Sequence, residues 1–496
     1  MAQAIGNVFQ AEYGNLINGK WEQAKSGKTI DMYNPATGEV LSRIQASGEE
    51  DVLHAVRSAH DAFPKWSQTT PGERQKIVLE MAKRVRNRID DYALMETLNN
   101  GKPIVEAKFF DMPLVIDLFE LFAGAGYILH GKCIDYPDAV NVIHREPYGV
   151  CAQIIPWNVP MIMMANKIAP AIVAGNTVVL KPAETVCLSI LEFFKEMSDI
   201  IPPGVINVVT GYGADIGPHL VGHPLVSKVA FTGSTGTGRK IIEYTSKYII
   251  PSTMELGGKS ANIVFSDADI DSAVEGAAMS LIMNKGEICL AGSRLFLQEG
   301  IKEEFLHKLK NVISGIIIGD PTNPQTQLGP QSSVAQYEKV KSYLNLGPQE
   351  GAEVYCGGAP AKIKGFEKGN FIKPTIFTKV DNKMRIAQEE IFGPVVCVMT
   401  FKEVDEAIRL ANDTGYGLGG GVWTRDISKA HSVARKLQTG TIWINRYYNF
   451  KLNAPIGGYK QSGFGTEFCQ DMVEHYTRMK SVIINLNEGP LGVFAR

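Results

Sequence analysis

The sequence predicts an α/β protein with two parallel-sheet units and a small additional element of β structure. Near-continuous apolar segments at 150–155, 177–180, 205–209 and 228–231 alternate with helical segments, and a second alternating region runs from about 261 to 445. Continuous apolar strands with helices between them indicate a parallel sheet that is covered on both faces. Because ligands bind such sheets at the carboxyl ends of the strands, functional residues are expected there. The 496 residues are enough for two or three domains.

The segments outside the two alternating regions have patterns of their own. Residues 15 to 45 are typical of strands and turns. Helices are predicted at about 49–63, 71–100 and 104–126. Residues 132 to 147 alternate as a hairpin does, and residues 481–486 form an apolar strand near the C-terminus. A terminal strand so far from its own domain predicts pairing with a partner chain, together with 132–147.

Composition and charge restrict the function. The hydrophobic fraction of 45% and the charged fraction of 21% are ordinary for a globular protein. A net charge of -2 argues against nucleic acid as a partner, since phosphates require a basic surface. No apolar run is long enough for a membrane span, and the N-terminus lacks a signal-peptide pattern. Seven scattered cysteines without a Cys-x-x-Cys pair predict a cytoplasmic protein without a metal site.

Cys289 stands on a loop between two predicted elements. Upstream, apolar residues recur at helical spacing from 273 to 282, and Gly286 suits the left-handed residue that closes such a helix. Downstream, residues 295–297 begin a strand. A thiol held there can attack a carbonyl carbon if its pKa is lowered or a base lies close. Taken alone, a single cysteine is more often a small apolar residue that fills the core.

Two further polar side chains stand at predicted strand ends. Glu255 is followed by the glycine pair Gly257 and Gly258, and Asn158 follows Trp157. A glutamate in such a place is usually a solvated edge residue, and an asparagine is usually a turn residue. Asn158 can also donate a hydrogen bond to an oxyanion. Neither residue identifies a site by itself.

A glycine-rich turn at 231–240, with the sequence FTGSTGTGRK, joins a predicted strand to a helix. Its exposed N–H groups and the helix dipole suit a phosphate. The spacing of Gly233 and Gly238 nearly matches a Walker A loop, but Arg239 stands where that loop requires lysine, and Lys240 stands where it requires Ser or Thr. The turn either binds a dinucleotide pyrophosphate or is simply tight, and its own residues leave both readings open.

Two other local patterns are weaker. The glycines of residues 211–217 resemble a dinucleotide-binding fingerprint, but the third comes one residue late, so we interpret them as a strand-to-helix turn. Residues 267–271 resemble a calcium loop. Ser272 replaces the glycine and Ala278 the glutamate that such a loop needs, so helix capping is favoured.

Seven motifs in a fixed order give the sequence a wider resemblance. They are PWN at 156–158, KPAE at 181–184, the glycine-rich turn at 231–238, ELGG at 255–258, GEIC at 286–289, EIFGP at 390–394 and PIGGYKQSG at 455–463. Together they make the sequence similar to the NAD(P)-dependent aldehyde dehydrogenase superfamily over nearly the whole chain. The resemblance implies a Rossmann-like parallel-sheet NAD-binding domain (1–124 and 148–257), a second α/β catalytic domain (258–461) and a small β oligomerisation element (125–147 and 477–496).

The resemblance also implies catalytic roles. Cys289 would attack the aldehyde to give a thiohemiacetal, whose oxyanion would accept hydrogen bonds from the Asn158 amide and the backbone N–H of Cys289. After hydride transfer to the nicotinamide, water activated by Glu255 would hydrolyse the thioester. Lys167 and Glu467 match positions that relay protons in relatives.

A cofactor site is implied in the same way. Lys181 and Glu184 match residues that hold the adenosine ribose. A carboxylate there accepts from both ribose hydroxyls and repels a 2′-phosphate, so NAD is favoured over NADP. Trp157 and Ser234 match pyrophosphate contacts, and Glu390 matches the ligand of the nicotinamide ribose. The other matching positions are Ile155, Pro156, Ala183, Gly213, Phe231, Gly233, Gly257 and, as support for the nicotinamide ring, Phe392.

The substrate tunnel is inferred from matching positions. The residues expected along it are Val159, Met163, Ile288, Leu290, Phe450 and Ile456, together with Arg446. All except Arg446 are apolar, so an uncharged aliphatic or aromatic aldehyde is the first expectation. Leu290 stands where relatives usually have a small or polar residue, and it would narrow the tunnel. Arg446 either binds an acidic tail or points into solvent.

The predicted enzyme is therefore an NAD-dependent, non-acylating aldehyde dehydrogenase that forms a homodimer or homotetramer. A CoA-acylating enzyme is an alternative, and Glu255 argues against it because that branch tends to lack this base. A non-catalytic protein on the same scaffold is a second alternative. Retention of Cys289, Glu255, Asn158 and Glu390 together argues against it.

Overall fold

The computed structural model describes residues 8–490 and 493–494. Its strands are β1 (Asn15–Ile17), β2 (Lys20–Glu22), β3 (Thr29–Tyr33), β4 (Val40–Gln45), β5 (Lys132–Asp135), β6 (Ala139–Pro147), β7 (Val150–Ile154), β8 (Thr177–Lys181), β9 (Ile206–Val208), β10 (Val226–Thr232), β11 (Ser252–Glu255), β12 (Ala261–Val264), β13 (Arg294–Gln298), β14 (Glu353–Cys356), β15 (Thr375–Thr378), β16 (Val395–Phe401), β17 (Gly419–Trp423), β18 (Thr441–Ile444), β19 (Gly463–Phe464) and β20 (Thr477–Asn485).

Helices connect most of these strands. The α-helices are Glu49–Ser67, Pro71–Asn87, Ile89–Asn100, Ile104–Glu106, Met112–Ala125, Pro160–Val173, Leu188–Glu196, Gly213–Val221, Thr235–Ser246, Ile270–Ile282, Lys302–Ser314, Val334–Gln349, Arg385–Gln388, Val404–Asn412 and Ile427–Lys436. A π-helical segment covers Ala107–Asp111, and 3-10 turns cover Met283–Gly286, Lys460–Ser462 and Gln470–Tyr476.

The first sheet has a parallel centre, as the apolar segments predicted. Its order is β19-β11-β10-β7-β8-β9-β1-β2, and β7 to β11 run parallel. Cys151 and Val178 pack in one hydrophobic cluster, whereas Val150 and Val179 pack in another. Because neighbouring residues of a strand point to opposite faces, both faces of this sheet are covered.

The second sheet contains the strands of the later alternating region. Its order is β14-β15-β16-β13-β12-β17-β18, and only β14 is antiparallel to its neighbour. Ile263 and Val264 of β12 again pack in different hydrophobic clusters. The predicted mixed α/β class with two parallel-containing sheets is confirmed, while the domain boundaries proposed above stay predictions.

Strand β19 joins the two regions. It follows the last strand of the second sheet in the chain but pairs with β11 of the first sheet, where Gly463 lies opposite Glu255. A Cβ atom at Gly463 would lie 1.9 Å from the carbonyl oxygen of Met254, and the φ of +116° is also one that favours glycine. The close approach of β19 therefore places the late part of the chain against the carboxyl end of β11.

The third sheet contains the predicted hairpin and the terminal strand. Residues 132–147 form the predicted hairpin, β5 and β6. The terminal strand β20 pairs with β6 of its own chain along its whole length, and pairing of this sheet with a partner chain stays a prediction. The chain returns through Gln470–Tyr476, which brings β20 back to β6. Among the described residues β20 has no second neighbour, and Met479 and Ile483 on it are exposed.

Two predicted helices are interrupted. The helix expected over 71–100 breaks at Arg88, whose φ of −129° and ψ of 32° are not helical. The Arg88 side chain pairs there with Asp91 and Glu196. The helix expected over 104–126 contains the π-helical segment, a local irregularity that residue spacing does not reveal. No helix of the described segments is both long and apolar enough to cross a membrane.

The calcium-like pattern at 267–271 is a helix cap, as expected. The Asp269 carboxylate accepts a hydrogen bond of 3.0 Å from the backbone N–H of Ser272 at the start of Ile270–Ile282. Asp267 accepts hydrogen bonds from Thr424 and Lys429 instead of facing the other aspartates. Both carboxylates are thus satisfied within the protein.

Phe193 gives a test of the core behind the first sheet. Its buried ring stacks on Phe119 at 5.7 Å and contacts Phe194 edge-on at 5.2 Å. We expect Phe193→Ala to destabilise this region by about 3–5 kcal/mol, because truncation leaves a cavity among rigid neighbours. Thermal and guanidinium unfolding midpoints measure the change. Phe109→Ala is the matched control, since Phe109 is 70% exposed and its loss should shift the midpoints little.

Candidate active site

A cavity of about 200 Å³ opens at the carboxyl ends of β7, β10 and β11. This is the edge of a parallel sheet at which ligands are expected. The cavity brings together twelve of the predicted site residues, namely Pro156, Trp157, Asn158, Val159, Met163, Gly233, Ser234, Glu255, Gly257, Cys289, Glu390 and Phe392. It is also lined by Thr232 and Leu256, which belong to the quoted motifs, and by Gln336 and Lys339, which the sequence patterns did not identify.

The loop that carries Cys289 has an unusual backbone. The helix before it ends at Ile282, and Asn284, Lys285 and Gly286 follow in the left-handed region, with φ of 45°, 63° and 73°. Gly286 is therefore left-handed as predicted, but it does not close the helix. Because Gly286 has no side chain, the backbone of Gly393 can pack closely against it. A Cβ atom at Gly286 would lie 2.3 Å from Gly393.

The Cys289 thiol is half-buried in the cavity. Burial raises the pKa of this thiol, and the nearby carboxylates of Glu390 and Glu255 raise it further. The backbone N–H groups of Cys289 and Leu290 act in the opposite direction, since they stabilise negative charge on the sulfur. A raised pKa favours the neutral thiol, and attack on a carbonyl carbon then requires that its proton leaves to a base or to water.

Asn158 is fixed beside this loop. Its side-chain nitrogen Nδ2 donates to the backbone carbonyl of Glu287 at 2.8 Å, and its backbone carbonyl accepts from the amide of Asn284 at 2.9 Å. An asparagine amide has two N–H donors, so one remains for a ligand in the cavity. The structure therefore places a side-chain donor next to the loop that carries Cys289, and the catalytic role of this donor stays a prediction.

Glu255 ends β11 and faces the cavity with little solvent contact. Its carboxyl oxygen Oε1 has no hydrogen-bond partner among the described residues. Burial raises the pKa of Glu255 well above its usual value, and the negative charge of Glu467 adds to this, while Lys167 opposes it. A carboxyl group with a raised pKa can accept a proton near neutral pH, which suits a general base.

Lys167 and Glu467 lie behind Glu255 and not in the cavity. The Lys167 ammonium donates to Glu467, and the amide of Asn166 donates to the other carboxylate oxygen of Glu467 at 2.9 Å. All three side chains are buried. The pair therefore acts on Glu255 through its charges in this conformation.

Glu390 lies on the opposite wall. Its carboxylate accepts from the backbone N–H of Gly258 at 3.0 Å. A Cβ atom at Gly257 would lie 2.6 Å from Glu390, so only glycine leaves room for this carboxylate. Burial raises the pKa of Glu390, and the charges of Lys339 and Lys259 oppose that effect.

Aromatic rings and one long helix complete this wall. Trp157 and Phe392 meet edge to face with ring centroids 5.3 Å apart, and Phe392 has a φ of 61°, which is strained for a bulky residue. Gln336 donates to the backbone carbonyl of Phe392 and so fixes that conformation. Gln336 and Lys339 lie three residues apart on the helix Val334–Gln349, a spacing that puts both on one face.

A second acidic group lies farther along the sheet. The Lys181 ammonium donates to Glu184 at 2.7 Å, and the backbone N–H of Gly213 donates to its other oxygen at 3.4 Å. Burial alone would raise the pKa of Glu184, but the charge and hydrogen bonds of Lys181 and the N–H of Gly213 lower it below the usual value. Glu184 also lines a neighbouring cavity of about 380 Å³.

The remaining predicted cofactor positions lie at the carboxyl ends of β7, β8 and β10. Ser234 is the N-cap of Thr235–Ser246 and accepts from the backbone N–H of Thr237. The Phe231 ring packs under Gly233, where a Cβ atom would clash at 2.5 Å. Ile155 and Ala183 are buried, so only their backbone can face a ligand.

The predicted substrate residues divide into two groups. Val159 and Met163 line the cavity, whereas Leu290 and Ile456 are buried in the hydrophobic cluster of the second sheet. Leu290 therefore does not narrow the cavity, because its side chain turns inward and packs against Gly419. Ile288 and Phe450 pack partly buried against the same cluster.

Arg446 is a correction to the predicted substrate site. The structure places it exposed, on a separate cavity of about 130 Å³ that Glu275 and Ser272 also line. The next two residues, Tyr447 and Tyr448, are buried, and their inward direction turns Arg446 outward. The solvent-facing alternative is the one that the structure shows.

Comparison with known proteins agrees with this arrangement. The chain is 44% identical to an aldehyde dehydrogenase of Deinococcus radiodurans over 494 residues, which cover 98% of this chain and 96% of the relative. It is 42% identical to acetaldehyde dehydrogenase 2 of Cupriavidus necator, over 99% of this chain and 98% of that protein.

Solved structures show the same fold. Betaine aldehyde dehydrogenase from Staphylococcus aureus in complex with NAD+ superposes with a TM-score of 0.97 at 36% identity, over 100% of this chain and 99% of that chain. PnpE in complex with nicotinamide adenine dinucleotide gives a TM-score of 0.95 at 39% identity, over 97% of this chain and 99% of that one. The model of the aldehyde dehydrogenase family matches residues 21–482, and the chain therefore belongs to this family of oxidoreductases that act on aldehydes.

Proposed function

We propose that the protein oxidises an uncharged aliphatic or aromatic aldehyde to the carboxylic acid with NAD, through a thioester on Cys289. The observation that supports this most directly is the convergence of Cys289, Asn158 and Glu255 on one cavity at the carboxyl ends of three strands. They supply a nucleophile, an oxyanion donor and a base, the three groups that acyl chemistry requires.

The residues present fit a dinucleotide. Glu184 has a lowered pKa and would accept from both ribose hydroxyls, while its charge would repel a 2′-phosphate. Glu390 would hold the second ribose in the space that Gly257 leaves. The free N–H groups at the start of Thr235–Ser246 suit the pyrophosphate. NAD is therefore preferred over NADP, and the two solved neighbours named above contain NAD+.

Acylation uses the groups nearest to the thiol. The Cys289 thiol gives up its proton to water in the open cavity as its sulfur bonds to the carbonyl carbon, which leaves Glu255 free for the second half-reaction. The oxyanion that forms accepts from the free N–H of Asn158 and from the backbone N–H of Cys289. When bound, the nicotinamide supplies the acceptor for the hydride of the former aldehyde carbon, and Cys289 is left as a thioester.

Deacylation then depends on Glu255. Its raised pKa and the unpartnered Oε1 leave it ready to take a proton from water that attacks the thioester. Lys167 and Glu467 hold the local charge, and we expect them to relay the proton from Glu255 to solvent. If the acyl group passed to a thiol such as CoA, no base would be needed to activate water. The presence of the buried base Glu255 therefore favours hydrolysis.

The substrate proposal rests on the apolar side of the cavity. Val159 and Met163 are the side chains that face an aldehyde tail there. A second candidate is a cationic aldehyde, because Trp443, Tyr448 and Phe450 form a cluster of rings beside the Cys289 loop, and aromatic faces attract quaternary ammonium groups. One structural neighbour is named for betaine aldehyde.

Assembly and location are also proposals. We propose a homodimer or homotetramer in which the third sheet takes part, since β20 has an unpaired edge among the described residues and exposes Met479 and Ile483. All seven cysteines are free, which fits the reducing cytoplasm.

A panel of aldehydes tests the substrate and cofactor proposals. We expect reduced nicotinamide to form with NAD and with hexanal or benzaldehyde, with kcat/KM at least tenfold higher than with NADP. The absorbance of the reduced cofactor measures both. Betaine aldehyde as the best substrate would favour the cationic candidate, and a rate that depends on added CoA would contradict the hydrolytic proposal.

The nucleophile assignment has its own test. We expect Cys289→Ala to abolish aldehyde oxidation while NAD still binds, because the cofactor site does not use the thiol. Turnover and quenching of protein fluorescence by NAD measure the two properties. Cys356→Ala is the matched control, since Cys356 is half-buried outside the cavity, and it should retain full activity. Turnover by Cys289→Ala would refute the assignment.

The base assignment predicts a pH dependence. Because burial raises the pKa of Glu255, its carboxylate form is lost at a higher pH than for an ordinary glutamate. We expect the wild-type deacylation rate to rise with pH, with its midpoint above the usual glutamate value. Glu255→Gln should remove this rise and lower steady-state turnover about 10²–10⁴-fold.

Rapid mixing separates the two half-reactions of the variant. An acid-stable thioester should accumulate in Glu255→Gln, seen as added mass on the Cys289 peptide. The exposed Glu243 provides the control variant Glu243→Gln, which should behave as the wild type. Wild-type turnover by Glu255→Gln with no trapped thioester would exclude Glu255 as the base.

A further inference from the structure

The backbone before Cys289 requires an explanation beyond the catalytic groups. Three successive residues, Asn284, Lys285 and Gly286, adopt left-handed φ values, and two of them are not glycine. Left-handed residues normally occur singly, because the Cβ atom approaches the following carbonyl oxygen. Strain of this kind persists only where surrounding contacts over-determine it. The contacts that hold this turn should therefore be strong and specific.

A buried ion pair spans the turn. The Lys285 ammonium lies 3.1 Å from Glu287, and both side chains are fully buried. Glu287 also accepts from the backbone N–H and the hydroxyl of Ser332, at 3.1 Å and 3.0 Å. Two charges taken out of water stay compatible with folding only when each finds its partners. The pair thus connects the middle residue of the left-handed turn to the residue that follows the turn.

The same pair reaches the oxyanion donor through Asn100. Lys285 donates to both the backbone carbonyl and the side-chain oxygen of Asn100, the last residue of Ile89–Asn100. The Asn100 amide in turn donates to the backbone carbonyls of Trp157 and Asn158, at 2.9 Å and 3.3 Å. A helix end from the first region is therefore tied to two loops at once.

The contacts form a closed ring. Asn158 completes it, because its Nδ2 donates to the backbone carbonyl of Glu287 at 2.8 Å. The ring runs from Asn100 through Lys285 and Glu287 to Asn158 and back to Asn100. It fixes the loop of Cys289 relative to the amide that would stabilise the oxyanion, two groups from distant parts of the chain.

We propose that Lys285, Glu287 and Asn100 are positioning residues that set the Cys289 backbone N–H and the Asn158 amide at the separation needed for the oxyanion. This proposal rests on the proposed function, since it assigns these residues to the same acylation step. Misplacement of a reacting group by about 1 Å can cost about 10²-fold in rate. The ring should therefore act on the acylation rate and little on cofactor or substrate affinity.

The test uses charge removal and its compensation. We expect Lys285→Gln and Glu287→Gln each to slow the pre-steady-state burst of reduced nicotinamide at least tenfold, because each leaves one buried charge without its partner. The dissociation constant for NAD and the half-saturating aldehyde concentration should change less than threefold. The double variant Lys285→Gln/Glu287→Gln should recover at least tenfold of the lost burst rate, since two amides can replace the pair without net charge.

Lys102→Gln is the matched control for a general loss of stability. Lys102 is also a buried lysine, and it pairs with Asp111 and Glu96 and makes no hydrogen bond to the ring. We expect it to lower the unfolding midpoint as much as Lys285→Gln does but to leave the burst rate near that of the wild type. Equal burst losses in the two lysine variants, or no loss in Lys285→Gln, would overturn the proposal.

A second readout does not need aldehyde oxidation. Iodoacetamide alkylates Cys289 at a rate that depends on how the loop holds the thiol. We expect each single variant to be alkylated at least threefold faster than the wild type, because a released loop exposes the sulfur, and the double variant to return toward the wild-type rate. Absence of any aldehyde-dependent reduction of NAD by the wild type would refute the proposed function, whereas unchanged alkylation in the single variants would refute the ring.

Discussion

Removal of ionisable side chains from water governs the chemistry at the carboxyl ends of β7, β10 and β11. Burial raises the pKa of Cys289, Glu255 and Glu390, so that each group rests closer to its neutral form. A neutral thiol and a base with a raised pKa avoid the cost of two adjacent buried anions. The same low-polarity environment strengthens the hydrogen bonds that would stabilise an oxyanion. The exclusion of water from the cavity therefore affects both the resting groups and the reacting groups.

Tight backbone approaches bring these groups together. Gly257 leaves the space for Glu390, Gly286 lies against Gly393, and Gly463 brings β19 onto the end of β11. At each position a Cβ atom would lie less than 3 Å from its neighbour, and at two of them φ is also positive. At Gly286 and Gly463 the neighbour is backbone, and at Gly257 it is the Glu390 carboxylate, so these three glycines permit the close approaches around the site.

The sequence predicted the α/β class, both sheets and the strand ends that carry the polar residues, because continuous apolar strands and their glycine turns are local signals. It did not identify Gln336 and Lys339, since the direction of a helix face is decided by tertiary packing. It misplaced Leu290 and left the direction of Arg446 open, because position along a family pattern does not determine which way a side chain turns. No sequence pattern singled out Lys285 and Glu287. The contact that gives them a role is made by Asn100, which lies almost two hundred positions earlier in the chain.

Leu290 shows how one such difference alters the substrate argument. Its side chain occupies a space that Gly419 provides, where a Cβ atom would lie 2.7 Å from the Leu290 side chain. The Leu290 side chain thus fits within the hydrophobic cluster of the second sheet. The backbone carbonyl of Leu290 accepts a hydrogen bond of 2.9 Å from the hydroxyl of Tyr447. Of the predicted substrate residues, Val159 and Met163 line the cavity of the thiol, and both come from the other region of the chain. Under the proposed function, selectivity for the aldehyde tail would therefore depend on the loop and helix after β7, which also carry Asn158, and less on the residues next to Cys289.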